Sequence, residues 1–306
     1  MKKIFLTGAT GFIGRYLVKT LYEKGYELTV LVRSFNNHFE EFGKELNIVV
    51  LPDPTLNDLE MLLKNGFDAV CHLAAFIPAN HLDPAFAKKC IEINSMLTLQ
   101  LLQASLESEI NRFLYFSAGN AYYVNDSTEP AGEMDLIYPS RFSPYYLGSK
   151  MLGEIFVDHF RQNHGVNAIS LRISSPYGLG MPKKSVVIKL IENTMKGLPV
   201  KLYDGEIYKT DFVYVGDVVS AALSAVEGGS PGIYNIGSGE ATSLVELART
   251  IGKVIGKSVP IEIVDTGTKN NKGFRHLDIK KARMAWNWYP RSLEEGLKLM
   301  FAQMSK

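Results

Sequence analysis

A short apolar run, Ile4-Phe5-Leu6, ends at Thr7-Gly8 and gives way to glycines at intervals of three, Gly8, Gly11 and Gly14. That spacing leaves the chain few ways to fold. The apolar run reads as a buried strand and the glycines as a loop. From Arg15 to Lys24 the chain reads as a helix, with Tyr16, Leu17, Leu21 and Tyr22 at helical spacing before Gly25. In such a loop Gly8 permits the tight turn, Gly11 lets backbone N–H groups approach a pyrophosphate, and Gly14 lets helix pack on strand. The anion then lies on the positive end of the helix, beside Thr10, Phe12 and Ile13. Turn glycines alone can produce the spacing, and the strand before and helix after are what give it weight.

The next segments keep alternating. Glu27–Val32 is β-rich and delivers Arg33 to the place where a second parallel strand meets an adenosine ribose. A carboxylate there would accept from a free 2′-hydroxyl, whereas Val32-Arg33 makes room for a 2′-phosphate and neutralises it. The expected cofactor is therefore NADP, with NAD the alternative. A third strand, Asn47–Leu51, leads to Asp53, placed to meet an adenine amino group, and to a helix from Thr55 to Lys64. Asp68–Ala75 is a fourth strand, and the end formed by Leu73, Ala74 and Ala75 would let a dinucleotide lie across it; His72 reads as a packed strand residue. A helical pattern from Pro84 to about Leu106 carries Asn94, and Arg112–Ser117 is the fifth strand. Strand and helix alternating without hairpin signals give an α/β chain with a Rossmann-type, doubly wound parallel sheet.

Beyond Arg172 the regularity is lost, with Pro176–Pro182 reading as a loop, which marks a smaller, mostly C-terminal substrate lobe. The expected division is residues 1–175 for the dinucleotide domain, with returning segments near 210–240, and 176–306 for the smaller lobe. A helix from Ser185 to Lys196, a strand Asp211–Asp217 running into a helix Val218–Glu227, and a last helix Leu293–Met304 are the clearest elements of this half.

The 306 residues carry a formal charge of +1, so no field attracts nucleic acid or an anionic membrane, and no apolar run approaches membrane-spanning length. Small molecules or copies of the chain are the expected partners. Cys71 and Cys90 lack metal-ligand spacing and read as buried thiols in a reducing compartment, and no leader is evident after Lys2-Lys3, which together suggest a cytoplasmic protein.

The chemistry lies on the helix opened by Ser143, a capping hydroxyl, and Pro144 at its first position. Tyr146 and Lys150, four apart, share one face of it. A phenol near pKa 10 is a poor acid–base group at neutral pH, and an adjacent ammonium favours its phenolate.

These segments resemble an extended short-chain dehydrogenase/reductase of the NAD-dependent epimerase/dehydratase family. The resemblance spans nearly the whole chain and rests on Thr7–Gly14, Asp53, His72–Ala75, Asn94, Phe116-Ser117, Tyr146–Lys150, Leu171-Arg172, Tyr177-Gly178, Asp211–Val215 and Tyr234–Gly237. It implies that Tyr146 is the acid–base residue, that Lys150 holds the nicotinamide ribose and lowers the phenol's pKa, and that Ser175 and Tyr177 pass beside nicotinamide and substrate. It also implies a homodimer. Three departures matter. Where the family has a serine or threonine two positions after Ser117, this chain has Gly119, leaving Asn120 or Ser117 to serve the reacting oxygen. Where its dehydratase branch has an acidic pair, the chain has Asn120-Ala121. Where its nucleotide-sugar enzymes hold a diphosphate with arginines, the chain has Thr210 with Lys209 beside it, and Thr268-Lys269.

The expected activity is hydride transfer on a carbohydrate, an epimerase or keto-reductase of a nucleotide-linked sugar, with Lys183, Lys184, Lys209 and Lys269 as the available phosphate cations. The alternatives are an NADPH-dependent reductase of a small carbonyl compound and a catalytically weak dinucleotide-sensing protein.

Overall fold

The computed structural model describes residues 2–35, 39, 42, 45–110, 112–124, 128–138, 143–267 and 272–304. The chain divides into two compact units. The first comprises Met1–Ala121, Pro139–Arg172 and Val219–Tyr234, and the second Tyr122–Tyr138, Ile173–Val218 and Asn235–Lys306.

In the first unit, β1 (Lys3–Thr7) is followed by α1 (Phe12–Glu23), β2 (Glu27–Val32), β3 (Leu46–Val50), α2 (Leu56–Leu63) and β4 (Ala69–His72). After β4 come α3 (Ala87–Ile91), α4 (Leu97–Glu107), β5 (Phe113–Ala118), α5 (Pro144–Asn163) and β6 (Ala168–Ile173). The sheet has seven strands in the order β3, β2, β1, β4, β5, β6 and Gly232–Ile236. Pairing from β3 through β2, β1 and β4 to β5 is parallel. Strand order reverses between β1 and β4, and a doubly wound sheet opens its ligand crevice at the carboxyl ends of the strands at such a point. Both faces of β1 are covered, since Ile4, Phe5 and Leu6 are fully buried. One core joins Phe5, Leu59, Leu63, Val70, Leu101, Phe113 and Val157, which fastens α2, α4 and α5 to the strands. Each such side chain contributes roughly 1.5–3 kcal/mol of apolar burial.

The second unit is built from short pieces. Ser175–Tyr177 pairs in parallel with Phe212–Tyr214, Val200–Tyr203 in parallel with Ile261–Val264, and Lys209–Thr210 antiparallel with Thr242–Ser243. Two buried side chains tie its loops together. Asp211 accepts hydrogen bonds from the backbone of Ser238, Gly239 and Leu277 and from the Ser238 hydroxyl. Asn235 donates to the carbonyls of Ala131 and Asp278 and accepts from the Tyr122 hydroxyl at 2.7 Å. Both residues belong to the motifs that carried the family resemblance, and in this structure their polar groups serve the fold.

Local structure corrects four expectations. The helical pattern Pro84–Leu106 is interrupted: a 3₁₀ turn at Pro84–Phe86 and a π turn at Glu92–Met96 flank α3, so Asn94 sits on a widened turn. Pro176-Tyr177 is strand rather than loop, because Phe212–Tyr214 runs alongside it. The helix expected from Val218 begins at Val215 and ends at Gly228. Ser143 does not cap α5 with its side chain, although Pro144 opens that helix as expected.

Candidate functional site

The glycine loop is closed on itself and on the end of β4. Gly8 has φ +72°, a conformation that suits glycine, and a Cβ there would overlap the backbone of Leu73 and Ala74. A Cβ at Gly14 would overlap the Gly8 carbonyl and Ala9, and the Gly11 N–H donates to the Gly8 carbonyl at 3.0 Å. Gly11 is the N-cap of α1 and provides no side chain to cap it. The first turn of such a helix presents N–H donors suited to an anion. Thr10, Phe12 and Ile13 are part-exposed beside it. Leu73 and Ala74 are part-exposed, whereas Ala75, Arg33 and Asp53 are exposed at the ends of β4, β2 and β3.

Under this loop runs a fully ordered polar chain. The Ala74 N–H donates to the Thr7 hydroxyl, which lies 2.6 Å from Nδ1 of His72. On the other side Nε2 of His72 lies 2.9 Å from the Thr98 hydroxyl, which donates to the Asn94 carbonyl. Since Thr98 spends its proton on Asn94, the network assigns Nε2–H as donor and Nδ1 as acceptor, a neutral imidazole. Burial, and then the Lys150 charge, hold the His72 pKa well below its ordinary value. His72 is a packed strand residue, as its sequence context implies.

Asn94 is engaged too. Its amide oxygen accepts from the Phe76 N–H at 2.6 Å, and its amide nitrogen donates to the Phe76 carbonyl and to the Ser149 hydroxyl at 2.9 Å. It is fully buried. The residue expected to touch a cofactor therefore ties the loop after β4 to α5, and the π turn is what aims it there.

On α5, Lys150 is 2% exposed and its Nζ lies over the Tyr115 ring, 4.1 Å from the centroid. Burial pushes this ammonium down to about 7 against the pull of Glu154 one turn further on. Glu154 is itself buried in a forked pair with Arg172 of β6, Nε–Oε1 3.0 Å and Nε–Oε2 3.1 Å. Half-buried Tyr146 behaves in the opposite sense to expectation. Burial, and then Cys90, push its phenol up to about 12, so desolvation outweighs any help from a neighbouring cation. The Tyr146 ring stands edge-on to His81, centroids 6.2 Å apart at 82°.

Ser117 is part-buried on β5, and Gly119 is buried in the 3₁₀ turn Gly119–Ala121 that follows. Asn120, in that turn, has its Oδ1 buried without a partner among the described residues. Leaving such an atom unpaired costs about 1–3 kcal/mol.

In the second unit, the Ser175 hydroxyl lies 2.9 Å from that of Thr210, and Tyr177 donates to the Leu293 carbonyl at 3.1 Å. Neighbours in a strand face opposite ways, and here Thr210 is buried while Lys209 is exposed. Lys183 and Lys184 are exposed just before the helix Val186–Lys196. Lys269 lies outside the described residues. Sequence reasoning passed over Arg275, whose side chain is 10% exposed and pairs with Asp135 at 2.8 Å, and over His81, in a loop with no periodicity to flag it.

Cys71 and Cys90 are free and buried, and burial raises the Cys71 thiol to about 12. Among the described residues there is no group of three His, Cys, Asp or Glu placed to hold a metal, and no helix is long and apolar enough to cross a membrane.

Comparison with known proteins gives a consistent result. The model of the "NAD dependent epimerase/dehydratase family" matches residues 4–237. A Methanocaldococcus jannaschii protein provisionally named UDP-glucose 4-epimerase is 30% identical over 306 residues, 96% of each chain. The dTDP-4-dehydro-6-deoxyglucose reductase of Escherichia coli is 27% identical, over 96% of this chain and 95% of that one. Among solved structures, the UDP-glucuronic acid 4-epimerase of Bacillus cereus with UDP-glucuronic acid and NAD superposes with a TM-score of 0.84 at 25% identity, covering 99% of both chains.

Proposed function

The chain belongs to the NAD-dependent epimerase/dehydratase family, enzymes of the extended short-chain dehydrogenase/reductase type, and from that premise we propose that it epimerises or reduces a nucleotide-linked sugar, with Tyr146 exchanging the proton of the reacting oxygen. The observation that carries this reading is the pair Tyr146 and Lys150 one helical turn apart on α5, packed against β5 in the unit that holds the glycine loop. Relatives named for reactions on UDP- and dTDP-sugars support the substrate class.

The residues fit a nicotinamide dinucleotide. Gly8 and Gly14 stand where no Cβ is tolerated, α1 begins without a capping side chain, and Asn120 keeps an acceptor unpaired. Gly8, Thr10, Gly11, Phe12, Ile13 and Gly14 would hold the pyrophosphate, Asp53 the adenine, and Leu73, Ala74, Ala75 and Ser117 would line its path. When bound, the dinucleotide supplies the hydride acceptor or donor. Tyr146 keeps its proton at neutral pH because burial raises its pKa, which equips it to donate to an oxygen that becomes a hydroxyl. Asn120 provides the polar contact that Gly119 lacks, and Lys150 orients the ribose.

For the 2′ position, the solved relative holds NAD, yet exposed Arg33 follows β2 where a carboxylate would serve NAD. We assign a preference for NADP. Arg33→Ala should weaken NADP binding by about 10–100-fold, the loss of one charge-assisted contact, and NAD binding by less than threefold or so, measured by calorimetric titration. Equal losses, or a native preference for NAD, would make Arg33 a surface cation.

The substrate class is tested with UDP-glucose, UDP-glucuronic acid and a dTDP-4-keto sugar against free glucose and a simple ketone. Turnover confined to the nucleotide sugars is expected. Replacing Lys183 and Lys184 together by Gln should then raise KM by about tenfold and flatten its salt dependence. Equal use of free and nucleotide-linked compounds would favour a reductase of small carbonyl compounds. Buried Thr210, paired with Ser175 at the position where the family resemblance implies an arginine, is the observation on that side.

Exposed Ile91, Met96 and Ile155 on the helical layer of α3–α5 support a homodimer, checked by sedimentation. The two free thiols support a reducing, cytoplasmic location.

A further inference from the structure

We propose that His81, held by Ser143, is a positioning residue for the Tyr146 phenol. The inference rests on the reading of Tyr146 as the acid–base group and adds to it a residue that no motif contains. Ser143 is the N-cap of α5, and Pro144, Tyr145 and Tyr146 are the first three residues of that helix. An N-cap serine ordinarily accepts from the backbone N–H two or three residues on, which here means Tyr145 or Tyr146. This one makes no such bond. Its backbone lies at φ −151° and ψ 51°, and its hydroxyl is hydrogen-bonded to Nδ1 of His81 at 2.6 Å. The cap has been exchanged for a grip on an imidazole, and that imidazole stands edge-on to Tyr146, 6.2 Å between centroids at 82°.

The segment that carries His81 is anchored on its upstream side and shaped by local turns. Upstream, Asn94 holds both backbone polar groups of Phe76 and reaches the Ser149 hydroxyl. Across His81, Asn80 accepts from the Leu82 N–H, and further on Asp83 accepts from the Ala85 N–H to start the next turn. The loop is therefore tied to α5 twice, through Ser149 below Tyr146 and through Ser143 above it. A phenol near the first turn of a helix has rotamers that packing within the helix does not restrict, and edge contact with a pinned ring removes some of them. Holding the hydroxyl where the reacting oxygen arrives is the kind of pre-organisation whose loss costs rate rather than affinity.

The experiment compares native enzyme, His81→Ala, Ser143→Ala, the double variant and Tyr146→Phe on UDP-glucose, UDP-glucuronic acid and a dTDP-4-keto sugar. NAD and NADP affinities and thermal midpoints are measured in parallel. His81→Ala should lower kcat by about 10–100-fold, and Ser143→Ala by about tenfold, with KM and dinucleotide affinity within about twofold of native. The double variant should match His81→Ala, because Ser143 acts only through the imidazole. Should His81→Ala fail to fold, Ser143→Ala still decides, since it removes no helix cap and should lower the midpoint by no more than the loss of one hydrogen bond. Additive losses, or kcat falling in step with the thermal midpoint, would make the pair structural and overturn the proposal. Native rates in both variants with Tyr146→Phe inactive would overturn it alone. An active Tyr146→Phe, or a native enzyme inert toward all three sugars, would remove the underlying reading and this inference with it.

Discussion

Tyr146→Phe is expected to lower kcat by about 10²–10⁴-fold, the range that a positioned proton donor contributes, while NAD and NADP affinities stay within about twofold of native. The variant keeps the ring, its edge contact with His81 and its place on α5, and loses one oxygen. What disappears is a proton made available where charge develops, an interaction of the transition state rather than of the ground state. Because burial pushes the phenol up to about 12, the native group is protonated throughout the neutral range. The reductive direction should therefore be nearly flat from pH 6 to 9 as far as Tyr146 is concerned. A Phe variant with most of the native kcat would show that the proton comes from elsewhere. A native enzyme that binds dinucleotide tightly but is as inactive as the variant would point to a dinucleotide-sensing protein.

How far the sequence reveals this site depends on which kind of information places each residue. Gly8, Gly11 and Gly14 are legible because backbone geometry demands a missing Cβ, and the structure shows that Cβ atoms at Gly8 and Gly14 would overlap the backbone. Tyr146 and Lys150 are legible because four residues make one helical turn. A parallel doubly wound sheet is legible from alternation, whereas the return of β4 beside β1 is seen only in the structure. Electrostatics is the part that is not legible. The spacing of Tyr146 and Lys150 suggests a cation lowering a phenol, but depth decides the sign, and depth comes from Tyr115, Glu154 and the strands around them. Nor can a linear pattern show that Asn94 turns onto Phe76 and Ser149, since the π turn that aims it is a tertiary compromise within a helical sequence. Asp211 and Asn235 teach the same lesson from the other unit. Motif membership marks them as important, and their hydrogen bonds show that the importance lies in joining loops. His81 sits in a stretch with neither periodicity nor motif, where only coordinates reveal a partner.

Lys150→Met should stabilise the protein against urea by on the order of a few kcal/mol near pH 6, with the gain fading to nothing near pH 10.5, while activity is lost. The sign follows from linkage. Burial lowers the ammonium to about 7 in the folded chain, against about 10.4 in an unfolded one. Between those values the unfolded state binds the extra proton, so native stability rises with pH. The penalty is complete below about pH 7, where the charge must be kept inside. It is relieved as the folded lysine gives up its proton. Methionine has a similar length, packs on the Tyr115 ring and carries no charge, so it removes the penalty at low pH and offers no advantage once the native amine is neutral. The carboxylate of Glu154, already forked onto Arg172, limits the effect, because its charge supports the ammonium of Lys150. Urea unfolding of both proteins at pH 6, 8 and 10 measures the difference directly. A gap that does not change with pH would mean that Lys150 titrates near its ordinary value. A methionine variant less stable than native at pH 6 would mean that the contacts of the ammonium with Tyr115 and Glu154 outweigh its burial. With the predicted gain and the loss of activity together, Lys150 would be a charge kept in the core at the expense of stability for the ribose and proton chemistry on α5.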